Sequence, residues 1–305
     1  MSAVQWVTSL PCFNRVLKIA SSRTTVYLPS GPQKDVQKTM YRALAMTFVI
    51  ILLFFSGSAR AQKSETGFLD RSVIVNGSEY RYVVYVPREF NSSRSWPIIV
   101  ALHGGGEYGN DGIKQTAGGL ARAIRLNPER FPAIVLFPQA HADGTPGWQL
   151  DGGKAALAQL DSALKEFHGD SKRIYLTGLS AGANGSWFLL SRHPERFAAA
   201  VIVCGFVSEF KGKTSGVDYP SLAPESKSGP FNVIAKKVSS IPIWIFHGDA
   251  DQNVSVEESR KMFAALKSIG ADVQYTELPG VPHNAWDLSY SRADVFEWLF
   301  KQVKK

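Results

Sequence analysis

Continuous apolar runs alternate with amphipathic segments along most of the chain. Residues 97–102 (PIIVAL), 133–137 (AIVLF), 173–177 (RIYLT), 198–204 (AAAVIVC), 241–246 (IPIWIF) and 273–278 (VQYTEL) read as strands. Runs with so little polar alternation suit strands buried on both faces. Between them, 154–167, 181–191, 256–269 and 293–301 carry apolar residues at helical spacing. This alternation predicts an α/β fold, a mainly parallel central sheet with helices on both faces. Upstream, 72–86 (SVIVNGSEYRYVVYV) reads as two strands around Asn76-Gly77. That dipeptide is a strong hairpin signal and adds an antiparallel N-terminal edge.

One stretch interrupts the rhythm. The 36 residues from 205 to 240 are rich in Gly, Ser, Pro and Lys. Connections of that length are uncommon inside a compact domain. The stretch reads as a lid or pocket-wall insertion, with a plain surface loop as the alternative. Elsewhere in the chain's body there is no repeat or linker-like tract, so residues 62–305 are expected to form one catalytic domain.

The first 61 residues look different. MYRALAMTFVIILLFFSGSARAQ, from Met40, has a basic start at Arg42, an apolar stretch over 43–55 and Ala59-Arg60-Ala61. This is the layout of a secretory signal with a small-x-small cleavage site, and its apolar stretch falls short of the ~20 residues of a spanning helix. We therefore read 1–61 as a leader whose core signal is 40–61, the mature chain beginning near Gln62 and residing outside the cell or in the periplasm. An uncleaved membrane anchor is the alternative, and Met40 competes with Met1 as the start.

The leader changes what the charge means. The chain has 34 basic and 26 acidic residues, a net +8, but seven of the basic residues and one acidic residue lie within 1–61. The remaining 27 against 25 leave the body almost neutral. A nucleic-acid partner needs a basic face, and none is expected. Of the two cysteines only Cys204 lies beyond the leader, which excludes an internal disulfide and a cysteine-based metal site.

The chemistry is concentrated at strand ends. Gly178-Leu179-Ser180-Ala181-Gly182 follows the strand at 173–177 and opens the helix at 181. A G-x-S-x-G in that context sets a serine hydroxyl on a sharp turn at the C-terminal edge of a sheet. The helix N-terminus adds backbone N–H groups where an oxyanion would form. Ser180 is the expected nucleophile. Its hydroxyl needs a base, and of six histidines only His283, in GVPHNAWD, follows the last strand. The base needs an orienting carboxylate. HGDADQNV offers Asp249 and Asp251; Asp251 is preferred, Asp249 fits a turn role and His247 a structural one. The order Ser180, Asp251, His283 is the one this motif requires.

Glycine permits the close backbone approach an oxyanion hole needs. After the strand at 97–102 comes His103-Gly104-Gly105-Gly106-Glu107. The expected donors are the N–H groups of Ala181 and of Gly105, with Gly106 second to Gly105 and His103 as a brace. Trp148 and Trp286 are candidate substrate contacts, with core or rim packing as the alternative. Glu107 is either a substrate contact or a loop brace.

LHGGGEYGNDG, RIYLTGLSAGANGSWFLLSRHPERFAAAVIVCG, IPIWIFHGDADQNVSVEESRKMFAALKSIGADVQYTELPGVPHNAWD and FEWL together resemble one group of proteins. It is the secreted esterases akin to polyhydroxybutyrate depolymerases and feruloyl esterases, related also to the catalytic domain of prolyl oligopeptidase-like proteins. The similarity runs over roughly residues 70–302. It implies an α/β-hydrolase fold, hydrolysis of a small-molecule, polysaccharide or polyester ester, and no cofactor or metal. It gives Ser180 as nucleophile, Asp251 as acid, His283 as base, and Gly105 and Ala181 as oxyanion donors. Two positions depart from the pattern: Ala181 stands where methionine is frequent, and Ala183 where a second glycine commonly follows. A peptidase would use the same triad, but oligopeptidases of this fold carry a large extra domain, for which about 240 residues leave no room. A non-catalytic binding protein would normally have lost a triad member, and none is missing.

Overall fold

Asn76 and Gly77 adopt φ of +50° and +81°. Two successive positive φ values are what a two-residue hairpin turn demands if its strands are to keep their twist, and Asn-Gly tolerates them best. They join β1 (Gly67–Val75) to β2 (Ser78–Val86) with Val75 opposite Ser78. The computed structural model describes residues 65–212, 216–227 and 229–304. The expected leader, 1–61, lies outside the described residues.

Six further strands complete the main sheet: β3 (Trp96–Leu102), β4 (Ile134–Pro138), β5 (Gly169–Leu179), β6 (Ala199–Val203), and, beyond the two-residue strands β7 (Phe210–Lys211) and β8 (Asp218–Tyr219), β9 (Ile243–Gly248) and β10 (Val273–Leu278). The order is β1-β2-β4-β3-β5-β6-β9-β10. β1, β2 and β4 pair antiparallel, and every pair from β4 to β10 is parallel. β7 and β8 form a separate small ribbon.

Among the described residues, seven α-helices cover the sheet: α1 (Gly119–Leu126), α2 (Asp151–Glu166), α3 (Ala181–Arg192), α4 (Pro230–Val238), α5 (Val256–Ser268), α6 (Ala285–Ser291) and α7 (Ala293–Lys301). Successive strand residues point to opposite faces. Along β3, Ile98, Val100 and Leu102 therefore enter one core, with Leu160 of α2, Leu190 of α3, Ile234 of α4 and Leu266 of α5. Ile99 and Ala101 enter the other, with Leu120 and Ile124 of α1 and Val295 and Leu299 of α7. All seven residues of β3 are buried, which is why its sequence lacks polar alternation. Each fully buried Val, Leu or Ile there contributes about 1.5–3 kcal/mol.

Two differences from the sequence reading have local causes. α2 begins at Asp151 and runs through Gly152 and Gly153, ahead of the helical spacing read over 154–167. A Cβ on Gly152 would lie 2.6 Å from the Gly147 carbonyl oxygen and 2.9 Å from Ala140 Cβ, so the helix start admits only glycine. The span 205–240 is not one irregular insertion. Its last part is α4, whose Pro230 occupies the first turn, where its missing N–H costs nothing. Ile234, Ala235 and Val238 are buried at helical spacing, and α4 packs on α3 and α5. Only the part before α4, with the β7–β8 ribbon, departs from the strand–helix alternation.

Candidate active site

Four loops at the C-terminal ends of parallel strands converge: 103–107 after β3, Ser180 after β5, Asp251 after β9 and His283 after β10. That edge is where open α/β sheets build their sites. The tightest turn is at Ser180, with φ +53° and ψ −118°, a conformation that non-glycine residues rarely adopt. It is held by the Ser180 N–H on the Val203 carbonyl (3.0 Å) and the Asn184 N–H on the Ser180 carbonyl (3.0 Å). The flanking glycines are sterically required. A Cβ on Gly178 would fall on the Gly182 carbonyl, and one on Gly182 on the carbonyls of Leu102 and His103. Gly182→Ala is thus expected to destabilise the protein by about 3 kcal/mol, the upper end for overpacking because rigid backbone sits on both sides. The urea midpoint at unchanged slope measures it.

Ser180 Oγ lies 2.9 Å from His283 Nε2, and His283 Nδ1 lies 2.7 Å from Asp251 Oδ2. A carboxylate only accepts, so the ring proton sits on Nδ1 and the Nε2 lone pair faces the serine hydroxyl. Asp251 is further supplied. Its Oδ1 accepts the N–H groups of Asn253 (2.8 Å) and Val254 (2.9 Å), and His247 Nε2 approaches Oδ2 at 3.2 Å. His247 is fully buried; its Nδ1 meets the Ser259 hydroxyl at 2.7 Å, leaving Nε2 as the donor. Burial alone would raise the Asp251 carboxyl, but the hydrogen bonds from His247, His283 and Val254 outweigh it and hold it well below the carboxylate range. Asp249, the other acid in the sequence pattern, accepts the Gly280 N–H (2.6 Å) and shapes that turn.

The glycine loop is braced from behind. The Ala140 N–H donates to His103 Nε2 (3.0 Å), so the ring proton is on Nδ1 and is donated to the Gly104 carbonyl (2.7 Å). Burial pushes this imidazole down to about 4, so it is neutral at neutral pH. Pinning the Gly104 carbonyl fixes the planar peptide that follows, and turns the Gly105 N–H to the side away from His103. Gly104, Gly105, Gly106 and Ala181 all line the cavity in front of Ser180. Ala181 is the first residue of α3, where an N–H has no partner within the helix.

The cavity measures about 250 Å³. Phe206, Phe210, Gly212 and Tyr219, from the segment before α4, form one wall. The Tyr219 hydroxyl donates to that of Tyr108 (3.2 Å), tying this wall to the glycine loop. Glu258 Oε2 accepts the N–H groups of Val207 and Ser208, and Asn184 Nδ2 donates to the Phe206 carbonyl. Sequence reasoning marked this segment as a wall but not its aromatics, and it missed Glu258 and Asn184. Clustered aromatics in a Gly/Ser-rich stretch were the available signal.

Of the residues singled out from sequence, Trp286 lines the cavity, its ring edge-to-face with His283 at 5.5 Å. Glu107 lines it too; burial pushes its carboxyl up, against a hydrogen bond from the Gly104 backbone. Trp148 requires a correction. It is 1% exposed, its Nε1–H donates to the His103 carbonyl (3.1 Å), and its ring packs on His103 at 4.7 Å. It supports the loop from the core and cannot touch a substrate. Cys204, at φ +43°, is buried with its sulfur within 4.8 Å of ligand atoms of Asp251 and His283. Burial raises its thiol, so it sits there as a neutral group.

The model of the prolyl oligopeptidase family matches residues 153–305. The crystal structure of a thermostable esterase superposes with a TM-score of 0.64 at 31% identity, covering 78% of this chain and 63% of that one. A poly(3-hydroxyalkanoate) depolymerase C of Paucimonas lemoignei is 27% identical over 219 residues, 62% of this chain and 50% of that protein. An uncharacterized secreted protein of Arthroderma benhamiae is 24% identical over 213 residues, 63% of this chain and 22% of that protein. The chain thus spans half or less of the length of these two curated relatives.

Proposed function

Because the chain belongs to the prolyl oligopeptidase family, serine hydrolases of the α/β-hydrolase fold, we propose that it cleaves carboxylic esters through an acyl-enzyme on Ser180. The observation that carries this reading is the hydrogen-bonded line from Ser180 Oγ through His283 to Asp251 at the floor of the cavity. His283 Nε2 takes the hydroxyl proton as Ser180 Oγ attacks the ester carbonyl. The N–H groups of Gly105 and Ala181 meet the oxyanion. His283 returns the proton to the departing alcohol, and a water activated by the same nitrogen releases the acid. Asp251 holds the ring in the required tautomer and stabilises its charged form.

The preference for esters is supported by the 31% identity to a thermostable esterase and by the depolymerase relative. The substrate class we propose is a small-molecule, polysaccharide or polyester ester. We further propose that residues 62–305 are the catalytic domain and that 1–61 direct it out of the cytoplasm; a relative described as secreted agrees with this. Peptide hydrolysis is the second reading, favoured by the family's own match. The test is a panel of p-nitrophenyl acetate and butyrate, a feruloyl ester, acetylated xylan, hydroxybutyrate oligomers and a Gly-Pro anilide. Turnover of at least one ester and none of the anilide is expected; anilide cleavage at the rate of the best ester would overturn the proposal.

A further inference from the structure

Beside the active-site cavity lies a second, smaller one of about 50 Å³. The two share Glu107, Leu179 and Trp286 as lining, so these side chains form the partition. A space of that size takes a few non-hydrogen atoms, since a water needs only about 10–15 Å³ on the same measure. Most of its wall is apolar or glycine, including Gly118, Leu120 and Phe137. The polar lining residues are His103, Glu107, Tyr290 and Gln115, the last on the short turn Lys114–Thr116; His103, Glu107 and Tyr290 have hydrogen-bond partners. Gln115 does not. It is 5% exposed, and neither its Nε2 nor its Oε1 has a hydrogen-bond partner among the described residues. Buried side-chain amides are nearly always paired, because the unmade bonds are costly. The proposed reaction gives Gln115 no part.

We propose that this side pocket is a substrate subsite in which the Gln115 amide, with the Glu107 carboxyl at the partition, binds a hydroxyl group of the ester. A hydroxyl both donates and accepts, which matches an amide offering one of each. An anionic group would be opposed by an ionised Glu107. Burial raises the Glu107 carboxyl against hydrogen bonds from the Gly104 and Glu107 backbone, and in either protonation state it can accept from a hydroxyl. An apolar substituent leaves the Gln115 amide unpaired, and sites of that kind discriminate strongly against the analogue lacking the hydroxyl.

The inference rests on the esterase reading, and the experiment separates the two. Matched ester pairs are compared by kcat/KM. On the acyl side they are p-nitrophenyl butyrate and p-nitrophenyl 3-hydroxybutyrate; on the alcohol side, propyl acetate and 2-hydroxyethyl acetate. The wild type is expected to prefer the hydroxylated member of one pair by about tenfold or more, and the pair that shows it tells which half of the ester enters the pocket. Gln115→Leu is expected to bring that ratio close to one. Gly118→Val is the second variant. Gly118 lines the pocket, a Cβ there meets nothing within 4 Å and the backbone is extended, so valine adds apolar bulk at the pocket wall without a clash. It should collapse the same ratio. Thermal melts identify which variants fold. A wild-type ratio near one in both pairs, as a pocket holding only water would give, overturns the proposal. So does a ratio that survives in either folded variant. If no ester is hydrolysed at all, the esterase reading fails and the subsite with it; hydrolysis without preference leaves that reading standing and removes the subsite alone.

Discussion

Ser180→Ala is expected to lower ester hydrolysis by about six orders of magnitude and to abolish labelling by a fluorophosphonate probe. The size follows from the chemistry: without Oγ no acyl-enzyme forms, and only oxyanion stabilisation and binding remain. The fold should be little disturbed. Alanine at φ +53° bears the same backbone strain as serine, and the two backbone hydrogen bonds that hold the turn do not involve Oγ. Among the described residues, the side-chain bond removed is the one to His283. Thermal unfolding close to wild type is therefore the companion expectation. Cys204 is a second nucleophile beside the site, but it is fully buried and its thiol is raised by that burial, so it should not take the label. A variant that labels like wild type would remove Ser180 from the mechanism.

Asp251→Asn is expected to cut kcat by about 10⁴-fold, while Asp249→Asn should stay within about tenfold. The two acids stand two residues apart on one loop, yet their partners differ. Asp251 accepts from His283, His247 and two backbone N–H groups. An asparagine there would present an amide N–H to one of these donors and favour the wrong tautomer of His283. Asp249 accepts one N–H, from Gly280, which an asparagine oxygen can also do. The pH profile carries a related expectation. Asp251 is held well below the ordinary carboxylate value of about 3.9, so it stays ionised from about pH 4 upward and contributes no step to activity there. Steady-state kinetics of both variants over pH 5–9 (about the range these assays tolerate) test this; equal losses in the two would sink the assignment of Asp251.

The parts of this molecule legible in the sequence are those governed by short-range rules. Asn76-Gly77 marked its hairpin because a two-residue turn needs positive φ. The apolar run at 97–102 marked a central strand because both its faces are covered. GLSAG marked its turn because Gly178 and Gly182 leave no room for a Cβ. What was not legible depended on contacts distant in sequence. Trp148 reads as a loop tryptophan, and only the packing of His103 and Gly185 against it shows that it is core. α1 and α6 span only eight and seven residues, too few for periodicity to declare itself. α4 was hidden by the Gly- and Ser-rich residues before it. Gln115 carried no signal at all, because an unpaired amide is visible only once its surroundings are known.

The backbone at Ser180 has a consequence outside the reaction. A serine at φ +53° is uphill of its preferred conformations by roughly 1–3 kcal/mol, and the packed sheet around it supplies that energy whether or not a substrate is present. The protein is thus less robust than its core would allow, and on the proposed mechanism the deficit sits at the residue selection can least alter. A more heat-resistant descendant is then expected to gain its stability elsewhere, in the helices and the outer strands, because relaxing this turn would move the proposed nucleophile.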